Sequence, residues 1–196
     1  IGSIKKMKLY SEKKFPDKRL KFACSPENLR LGNSLEIFLK PDRVIIGVAE
    51  KKTKIILNKF FKTITNKIEW MKIESAEMTK HAINSFLATS IIFANEIASV
   101  CEKVGADASE VERGLKTDNR IGKKAYLSPG NPIAGGTLLR DVNFLNNKKK
   151  KLKLQLPLLS SLVISNNIHK NWISKKLLEK FDKISNLSIA VWGLTY

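Results

Sequence analysis

Cysteine and histidine are scarce in this sequence of 196 residues, which contains two of each. Cys24 and Cys101 lie far apart and show no spacing typical of metal ligands, so we predict two reduced thiols and no metal site. No apolar run approaches the roughly 18 residues of a membrane span, and the first residues lack the pattern of a signal peptide. These absences favour a globular cytoplasmic protein without a membrane segment.

Arginine is also rare, because six of the 36 basic residues are Arg and the other 30 are Lys. With 18 acidic residues the formal net charge is +18, which raises the question of nucleic-acid binding. Arg reads bases and phosphates better than Lys does, and no helix-turn-helix, zinc-finger or RNP-like motif occurs. The hypothesis of a nucleic-acid-binding helical protein therefore rests on charge alone. We predict no nucleic-acid partner, although the positive field would attract small anionic substrates.

The first third of the chain alternates short apolar runs with helix-like segments. After a basic, helix-like start, three runs are predicted to be strands and two segments to be helical. The strands are 20–24, 43–49 and 68–73, and the helical segments are 34–38 and 55–64. Strands that alternate with helices predict a parallel α/β sheet.

The middle of the chain is predicted to be helical. Residues 74–104 predict one long helix without Pro or Gly, and Gly105 is expected to end it. The apolar residues that support this helix are Met78, Ala82, Phe86, Ile91, Phe93, Ile97 and Val100. Asp107 is a plausible cap for the next helix, with Glu110 in a capping-box position.

The remaining segments complete the predicted fold class. They are a helix at 107–115, a Gly- and Pro-rich loop at 128–136, helices at 138–146 and 156–181, and an apolar strand at 188–192. The chain is therefore predicted to be an α/β fragment with a mainly α-helical central region. It would hold the end of one Rossmann-like domain and the first strand of another.

A polar stripe crosses the otherwise apolar long helix. Glu77, Lys80 or His81, and Asn84 are three and four residues apart and therefore share one face. A lysine near a buried helix is costly unless it is paired. Either the stripe is exposed at the start of the helix, or it aims a Lys and an Asn together into a cleft.

Two further segments carry candidate binding groups. The paired Gly135 and Gly136 let backbone amides approach a ligand closely, and they precede a helix whose N-terminal amides favour anions. Arg120 lies in a turn between helices. Both segments also have a structural interpretation, the loop as a linker between helices and Arg120 as a solvated side chain.

Several blocks of sequence resemble, in order, the motifs of one family. Residues 25–32 (SPENLRLG) are similar to N-P-E-F-L-R-E-G, 41–47 (PDRVIIG) to P-D-R-I-V-I-G, and 118–122 (DNRIG) to D-x-R-I-G. Residues 76–107 resemble the family's central helix, and 188–196 (SIAVWGLTY) resemble the opening strand of its C-terminal domain. On these motifs the chain is identified as a member of the UDP-glucose/GDP-mannose dehydrogenase family.

The resemblance implies a nucleotide-sugar dehydrogenase that uses NAD to oxidise a UDP- or GDP-sugar. The family has a Rossmann NAD domain, a helical dimerising middle and a Rossmann-like domain for the sugar nucleotide. By resemblance, 1–73 are the end of the first domain, 74–186 the second and 187–196 the start of the third. The Gly-rich NAD fingerprint is then expected before Ile1, and no G-x-G-x-x-G occurs in the sequence. A homodimer through the long helix is also implied.

The family's functional residues carry over position by position. The implied catalytic residues are Glu27, Lys80, Asn84, Thr137 and Asp141. By resemblance, Lys80 stabilises the negative charge that develops on the substrate oxygen. Asn84 helps to hold that oxygen or a water, and Asp141 acts as a base or holds water, while Glu27 helps with the water or proton of the hydrolytic step. The implied binding residues are Leu29, Arg120, Tyr126, Leu127, Ser128 and Gly135 for the substrate, with Arg120 reaching a neighbouring subunit, and Arg140 for the cofactor.

The position of the nucleophile departs from the family pattern. The family's loop G-G-S-C-F-P-K-D aligns with 134–141, which puts Thr137 where the family has Cys. A thiol with a pKa of about 8.5 reaches its thiolate form readily, whereas a Thr hydroxyl is a poor nucleophile without a dedicated base. We therefore expect a single oxidation, to an aldehyde or keto sugar, or a second oxidation that runs poorly, unless Cys24 supplies a displaced thiol. The alternative is a non-catalytic relative that acts in binding or assembly.

Overall fold

The computed structural model describes residues 1–26, 32–181, 185 and 187–192 of the chain. The chain divides into two compact units, Ile1–Asn84 and Ser85–Tyr196. One long helix, Ile73–Val104, begins in the first unit and continues into the second. Each unit is described by itself below.

The first unit is built on a three-stranded sheet. Its elements are α1 (Ser3–Lys14), β1 (Ala23–Cys24), α2 (Ser34–Leu39), β2 (Val44–Val48), α3 (Lys51–Phe61), β3 (Ile68–Met71) and the start of α4 (Ile73–Val104). β2 lies in the centre of the sheet, parallel to β3 and antiparallel to β1. The parallel pair requires a crossover connection, and α3 provides it.

The prediction of a parallel sheet is wrong for the first strand. The apolar run 20–24 contributes only two paired residues, with Ala23 opposite Val48 and Cys24 opposite Gly47, and this pairing is antiparallel. An apolar run indicates burial but carries no information about strand direction, which depends on how the chain connects the strands. The other predicted strands and helices of this unit are confirmed, with shifted ends.

β2 packs closely against the first turn of α4. Ile46 is fully buried and Ile45 is nearly so. A Cβ atom added at Gly47 would lie 2.7 Å from the Cβ of Ala76 and 2.8 Å from the Cα of Ile73. The backbone of a helix and the Cβ atoms bonded to it cannot move aside. Residue 47 of β2 must therefore be glycine, because a side chain there would clash with α4.

The second unit contains the rest of α4 and four further helices. These are α5 (Ala108–Thr117), α6 (Leu138–Leu152), α7 (Pro157–His169) and α8 (Trp172–Lys180). Gly105 follows α4 with a φ of 76°, as expected of a residue that ends a helix. Asp107 caps α5, because its carboxylate accepts hydrogen bonds from the N–H groups of Ser109 at 2.7 Å and Glu110 at 3.3 Å. Both predictions are confirmed.

The core of the second unit joins α4 and the Gly- and Pro-rich loop to α6 and α7. Its members are Ala88, Ile92, Ile133, Leu139, Val142 and Leu162. Several residues that predict α4 lie on another face of that helix, since Phe86, Phe93 and Val100 are 70%, 45% and 56% exposed. The apolar pattern therefore located the helix correctly but did not indicate which of its apolar faces the unit buries.

The predicted ends of two later helices are wrong. The helix expected at 156–181 is interrupted at Lys170 and Asn171, where the amide of Asn171 donates to the carbonyl of Ile168 at 3.2 Å. No Gly or Pro marks this break, so the sequence pattern runs across it. α6 continues past its predicted end at 146 to Leu152, and the lysines of its last turn suit the negative end of the helix dipole.

The strand expected at 188–192 is not found in the described part of the chain. Residues 187–192 have no regular secondary structure, and Val191 and Trp192 are 69% and 103% exposed. A strand needs a neighbour for its backbone hydrogen bonds. The sheet of the described residues contains only β1, β2 and β3, so the apolar run lacks such a neighbour.

By length and composition alone, α4 is suited to crossing a membrane. A core helix of a soluble protein meets the same test, so one helix of this kind is weak evidence for a span. α4 places Ala88 and Ile92 in the core of the second unit and also carries the buried polar residues Asn84 and Asn95. The absence of a membrane segment stays a prediction.

Replacing Gly47 with Ala should lower the free energy of unfolding by about 1–3 kcal/mol, because overpacking forces backbone shifts. Urea or thermal unfolding measures the change. Gly114 is the matched control, since a Cβ atom there, within α5, would meet nothing within 4 Å. Gly114→Ala should instead stabilise the protein by up to about 1 kcal/mol through helix propensity. Equal effects of the two substitutions would contradict the close approach of β2 and α4.

Candidate functional site

Lys80 and Asn84 lie one turn apart on α4, within the first unit. Asn84 is buried and Lys80 is half-buried. Because residues at this spacing share one helix face, the ammonium of Lys80 and the carboxamide of Asn84 are presented together. Both groups carry N–H donors, which suits them to hold an oxygen atom that gains negative charge.

Glu77, which the polar stripe groups with Lys80 and Asn84, has different partners. Its carboxylate accepts hydrogen bonds from the N–H groups of Ile4, at 3.0 Å, and Gly2, at the start of α1. The first amides of a helix lack partners within that helix, so Glu77 acts as a cap supplied from elsewhere in the sequence. Burial alone would raise the pKa of Glu77, but these amides outweigh that effect and the pKa is lowered.

Neither cysteine has the surroundings of an activated nucleophile. Cys24 is half-buried in β1, where burial raises the pKa of its thiol and the negative charge of Glu77 raises it further. A raised pKa reduces the fraction of thiolate at neutral pH and therefore the reactivity of the sulfur. Cys101 is buried on α4. These surroundings weigh against Cys24 as a displaced nucleophile.

Two predicted site residues, Glu27 and Leu29, lie outside the described residues. The segment just before them is fixed to the central strand of the first unit. The hydroxyl of Ser25 donates a hydrogen bond to the carbonyl of Ile45 on β2 at 3.1 Å. The roles given to Glu27 and Leu29 stay predictions.

The Gly- and Pro-rich loop and the two residues before it carry several of the predicted substrate-binding residues, all within the second unit. Tyr126 is 60% exposed, whereas the side chain of Leu127 is buried. The hydroxyl of Ser128 donates to the carboxylate of Glu112 at 2.6 Å. Gly135 lies on the exposed part of the loop. This segment, 126–136, therefore presents the Tyr126 ring and the backbone of Gly135 to solvent and buries Leu127.

Thr137 and Asp141 lie one turn apart at the start of α6. Thr137 occupies the N-cap position and is exposed, but its side chain makes no capping hydrogen bond. Its carbonyl accepts a hydrogen bond from the amide of Asp141 at 3.2 Å. The carboxyl group of Asp141 is buried in the first turn of α6, where the helix dipole favours a negative charge. Thr137 and Asp141 thus share one end of a helix.

A basic pocket with a volume of about 490 Å³ lies beside the loop. We call it the lysine pocket and define it by Lys116, Lys123, Lys124, Tyr126 and Ser128, which line it. Lys116 is paired at 2.5 Å with Glu112, the carboxylate that also holds Ser128. Three ammonium groups against one carboxylate give the pocket a positive field that suits an anionic ligand. These lysines could not be predicted from the sequence, because nothing there distinguishes them from the other lysines of the chain.

Arg120 folds back onto its own turn. Its guanidinium forms two hydrogen bonds with the carboxylate of Asp118, from Nε at 3.0 Å and from Nη2 at 2.6 Å. The side chain is nevertheless 90% exposed. Because the side chain is exposed, another molecule can reach the guanidinium. An exposed ion pair contributes little to stability, so breaking the pair with Asp118 would cost little.

Three side chains that the sequence analysis did not assign to the site contact the loop directly. They are Asn95 on α4 and Asn166 and His169 on α7, and their partners are backbone groups of residues 130–133. A signal was present in the sequence, because Asn95 and Asn166 lie within apolar stretches of helix, where Asn is unfavourable. An Asn that occurs in the apolar interior of a helix therefore indicates that its side chain makes a specific contact.

The prediction for bound groups is no metal and one cofactor contact, from Arg140. Within the ranges that the structure describes, no group of three or more His, Cys, Asp or Glu side chains could hold a metal ion. Arg140 is exposed in the first turn of α6, where a guanidinium fits a phosphate oxygen of a dinucleotide. The Gly-rich turn that holds a pyrophosphate in a Rossmann domain does not occur in the sequence. The role of Arg140 in cofactor binding stays a prediction.

Known proteins have sequences similar to this chain. Residues 74–168 match the central domain of the UDP-glucose/GDP-mannose dehydrogenase family. A UDP-glucose 6-dehydrogenase of Rickettsia bellii is 37% identical over 178 residues, which are 89% of this chain and 41% of the relative. The chain belongs to the UDP-glucose/GDP-mannose dehydrogenase family. The resemblance found in the sequence motifs is thereby confirmed.

Further family members agree in sequence and fold. A UDP-glucose 6-dehydrogenase of Bacillus subtilis is 36% identical over 174 residues, covering 89% of this chain and 39% of that protein. The solved UDP-glucose dehydrogenase of Pyrobaculum islandicum superposes with a TM-score of 0.77 at 30% identity, covering 82% of this chain and 37% of that one. The chain thus spans about two fifths of the length of the curated relatives it matches. Its fold is the predicted α/β fragment with a helical central region.

Replacing Glu77 with Gln should make the stability of the protein less dependent on acid pH. Because the pKa of Glu77 is lowered on folding, the ionised carboxylate stabilises the folded state above its unfolded pKa of about 4.3. This contribution is lost as the pH falls through the lowered folded value. Urea unfolding should therefore show wild type more stable than Glu77→Gln at pH 7, with the difference shrinking below about pH 4.

The matched control is Glu74→Gln, which changes an exposed carboxylate in the first turn of the same helix. Its stability relative to wild type should change far less over the same pH range, because its charged form is already solvated. A stability difference for Glu77→Gln that stays constant from pH 7 to pH 3 would contradict the capping role of Glu77.

Proposed function

We propose that this chain is part of an NAD-dependent nucleotide-sugar dehydrogenase that oxidises a sugar hydroxyl of a UDP-glucose-like substrate. The observation that carries the proposal is that residues 74–168 match the family's central domain, within which Lys80, Asn84 and Asp141 correspond by resemblance to functional residues of the family. Relatives in Rickettsia bellii and Bacillus subtilis are UDP-glucose 6-dehydrogenases. The lysine pocket supports the proposal, because its ammonium groups would attract the diphosphate of such a substrate.

In the proposed reaction, oxidation removes a hydride from the carbinol carbon and a proton from its oxygen. NAD, when bound, accepts the hydride. Lys80 donates a hydrogen bond to the oxygen as negative charge develops there, and Asn84 helps to hold the same oxygen. Asp141 serves as the base that takes the proton or holds a water molecule, and Glu27 would act on a water or proton only if a second, hydrolytic step followed. The residues proposed to bind the substrate are Tyr126, Leu127, Ser128, Gly135, Leu29 and Arg120. Arg140 is proposed to bind the cofactor.

We propose that the reaction stops after one oxidation. A second oxidation through a covalent intermediate needs a nucleophile that adds to the aldehyde, and Thr137 replaces the family's thiol at that position. A hydroxyl is a weak nucleophile unless a base removes its proton. Cys24 does not replace it well, because its raised pKa disfavours the thiolate. The expected product is therefore an aldehyde.

A non-catalytic role in binding or assembly is the second candidate. The observation that favours it is the same Thr137, since a protein that no longer carries out the reaction has no need of the thiol. Under this alternative the lysine pocket would still bind a nucleotide sugar, but no hydride would be transferred. The two candidates therefore differ in whether NADH forms.

We also propose that two copies of the chain associate through α4. Phe86, Phe93, Val100 and Val104 lie at intervals of seven and four residues and are 70%, 45%, 56% and 71% exposed. Spacing of this kind places large apolar side chains in one stripe along a helix, as in helices that pack against each other. Burying this stripe against a second copy would remove a large apolar surface from water.

The cytoplasm is the proposed location. Both cysteines are free, and unpaired thiols are typical of proteins in a reducing compartment. Neither a nucleic acid nor a membrane is part of the proposed function. The net charge of +18 is instead expected to favour anionic small molecules.

The yield of NADH separates the proposed reaction from its alternatives. We expect one NADH per sugar when the protein, in the longest form that its gene encodes, is mixed with NAD and a panel of UDP- and GDP-sugars. Thr137→Cys should raise the yield toward two, because it restores a thiol at the nucleophile position. Thr117→Cys is the control, since it adds a thiol at another exposed threonine. Two NADH per sugar from wild type would refute the role given to Thr137, and none across the panel would favour the non-catalytic relative.

Placing a charge in the apolar stripe of α4 should separate the proposed dimer. Analytical ultracentrifugation is expected to show wild type as a dimer and Phe93→Glu as a monomer, because an unpaired buried carboxylate is costly. Asn147→Glu adds the same charge at an exposed site on α6 and should leave the dimer intact. A monomeric wild type, or a dimer that tolerates Phe93→Glu, would show that the stripe does not join two copies.

A further inference from the structure

Two asparagines are almost completely buried in the second unit. Asn95 on α4 is 2% exposed and Asn166 on α7 is 1% exposed. A buried carboxamide destabilises a protein unless its donors and acceptor are hydrogen-bonded. Asn is also a poor residue for the interior of a helix. Their contacts therefore indicate what these side chains contribute.

Asn166 pairs with both backbone groups of a single loop residue. Its Oδ1 accepts a hydrogen bond from the amide of Ile133 at 2.7 Å, and its Nδ2 donates to the carbonyl of Ile133 at 3.0 Å. This is the pattern that a neighbouring strand would provide in a sheet. The side chain of Ile133 lies in the core of the second unit, so this residue is fixed through both its side chain and its backbone.

Asn95 and His169 hold the loop three residues earlier. The Oδ1 of Asn95 accepts from the amide of Gly130 at 2.8 Å, with a longer contact of 3.5 Å from its Nδ2 to the carbonyl of Asn131. The Nε2 of His169 lies 2.7 Å from the carbonyl of Gly130. Because a carbonyl can only accept, the His169 tautomer with a hydrogen on Nε2 makes this bond.

These contacts replace secondary structure in the loop. Within the described residues, the backbone groups of 130–133 form no hydrogen bond with another backbone group. Buried backbone groups need partners, and side chains can supply them. Asn95, Asn166 and His169, which we call the loop clamp, bond the backbone at Gly130, Asn131 and Ile133 from two helices.

We propose that the loop clamp positions the exposed turn that leads to Thr137, and so sets the geometry of the substrate site. The clamped residues lie between Tyr126 and Thr137 in the chain, and both of these belong to the site in the proposed function, on which this inference rests. Fixing residues 130–133 gives the turn 134–136 a defined starting point. The three clamp residues are positioning residues, because they contact the loop rather than the substrate.

Nuclear magnetic resonance tests the clamp in the chain itself. Asn166→Leu removes the bonds to Ile133 with a side chain of similar size, and Asn95→Leu removes those to Gly130. Leu is preferred to Ala because a cavity of about 220 Å³ lies next to these residues, and water could enter the space left by Ala and restore the bonds. Exchange of the Ile133 and Gly130 amides, respectively, should become roughly tenfold faster.

The readout of positioning is the amide chemical shifts of Gly135, Gly136 and Thr137. They should change in Asn166→Leu but not in Asn167→Leu, which alters the exposed neighbour on α7. The affinity for UDP-glucose, measured by calorimetry, should fall at least fivefold in Asn166→Leu and stay unchanged in Asn167→Leu. Unchanged exchange at Ile133, or unchanged shifts at 135–137, would overturn the proposal.

Substitutions at His169 provide a second test that does not depend on the buried asparagines. His169→Gln keeps an N–H donor within reach of the Gly130 carbonyl, whereas His169→Ala removes it. His169→Gln should keep the amide chemical shifts of 135–137 and the affinity for UDP-glucose close to those of wild type. His169→Ala should change both. Equal behaviour of the two would also overturn the clamp. If wild type fails to bind UDP-glucose while the exchange and shift results hold, the proposed function fails and the clamp stands.

Discussion

The second unit depends on hydrogen bonds between helix side chains and a loop that has no secondary structure of its own. A loop that runs against a core must have its backbone groups satisfied, because an unpaired buried group is costly. Asn95 and Asn166 meet this need by presenting a carboxamide that resembles a peptide group. In the described residues, the Ser85 hydroxyl is the buried side-chain oxygen without a partner, whereas the Oδ1 and Nδ2 atoms of both asparagines each have a partner in the loop.

Much of this fold could be predicted from the sequence because local signals determine helices and their ends. Gly105 predicted the end of α4 and Asp107 the start of α5, and the structure confirms both. The orientation of β1 and the break at Lys170 could not be predicted in this way. Strand direction depends on distant pairing, and the break lacks the Gly or Pro that marks such positions in a sequence.

The candidate site was accessible from the sequence only in part. Lys80, Asn84 and Asp141 could be identified because they belong to family motifs, and the structure places Lys80 and Asn84 on one helix face. The contacts of Glu77 with α1 and of Asn166 with Ile133 join residues far apart in sequence. Periodicity within one helix says nothing about such partners, so Glu77 was grouped with Lys80 and Asn84 although its carboxylate holds the start of α1.

The N-cap position of α6 has a consequence for how such a site can change over time. Thr usually contributes to a helix at this position by accepting a hydrogen bond from the first turn, but the side chain of Thr137 makes none. Its identity therefore has little influence on whether α6 forms. Exchange between a thiol and a hydroxyl at residue 137 can proceed without compensating changes elsewhere in the fold, and chemistry at this position can be gained or lost almost independently of stability.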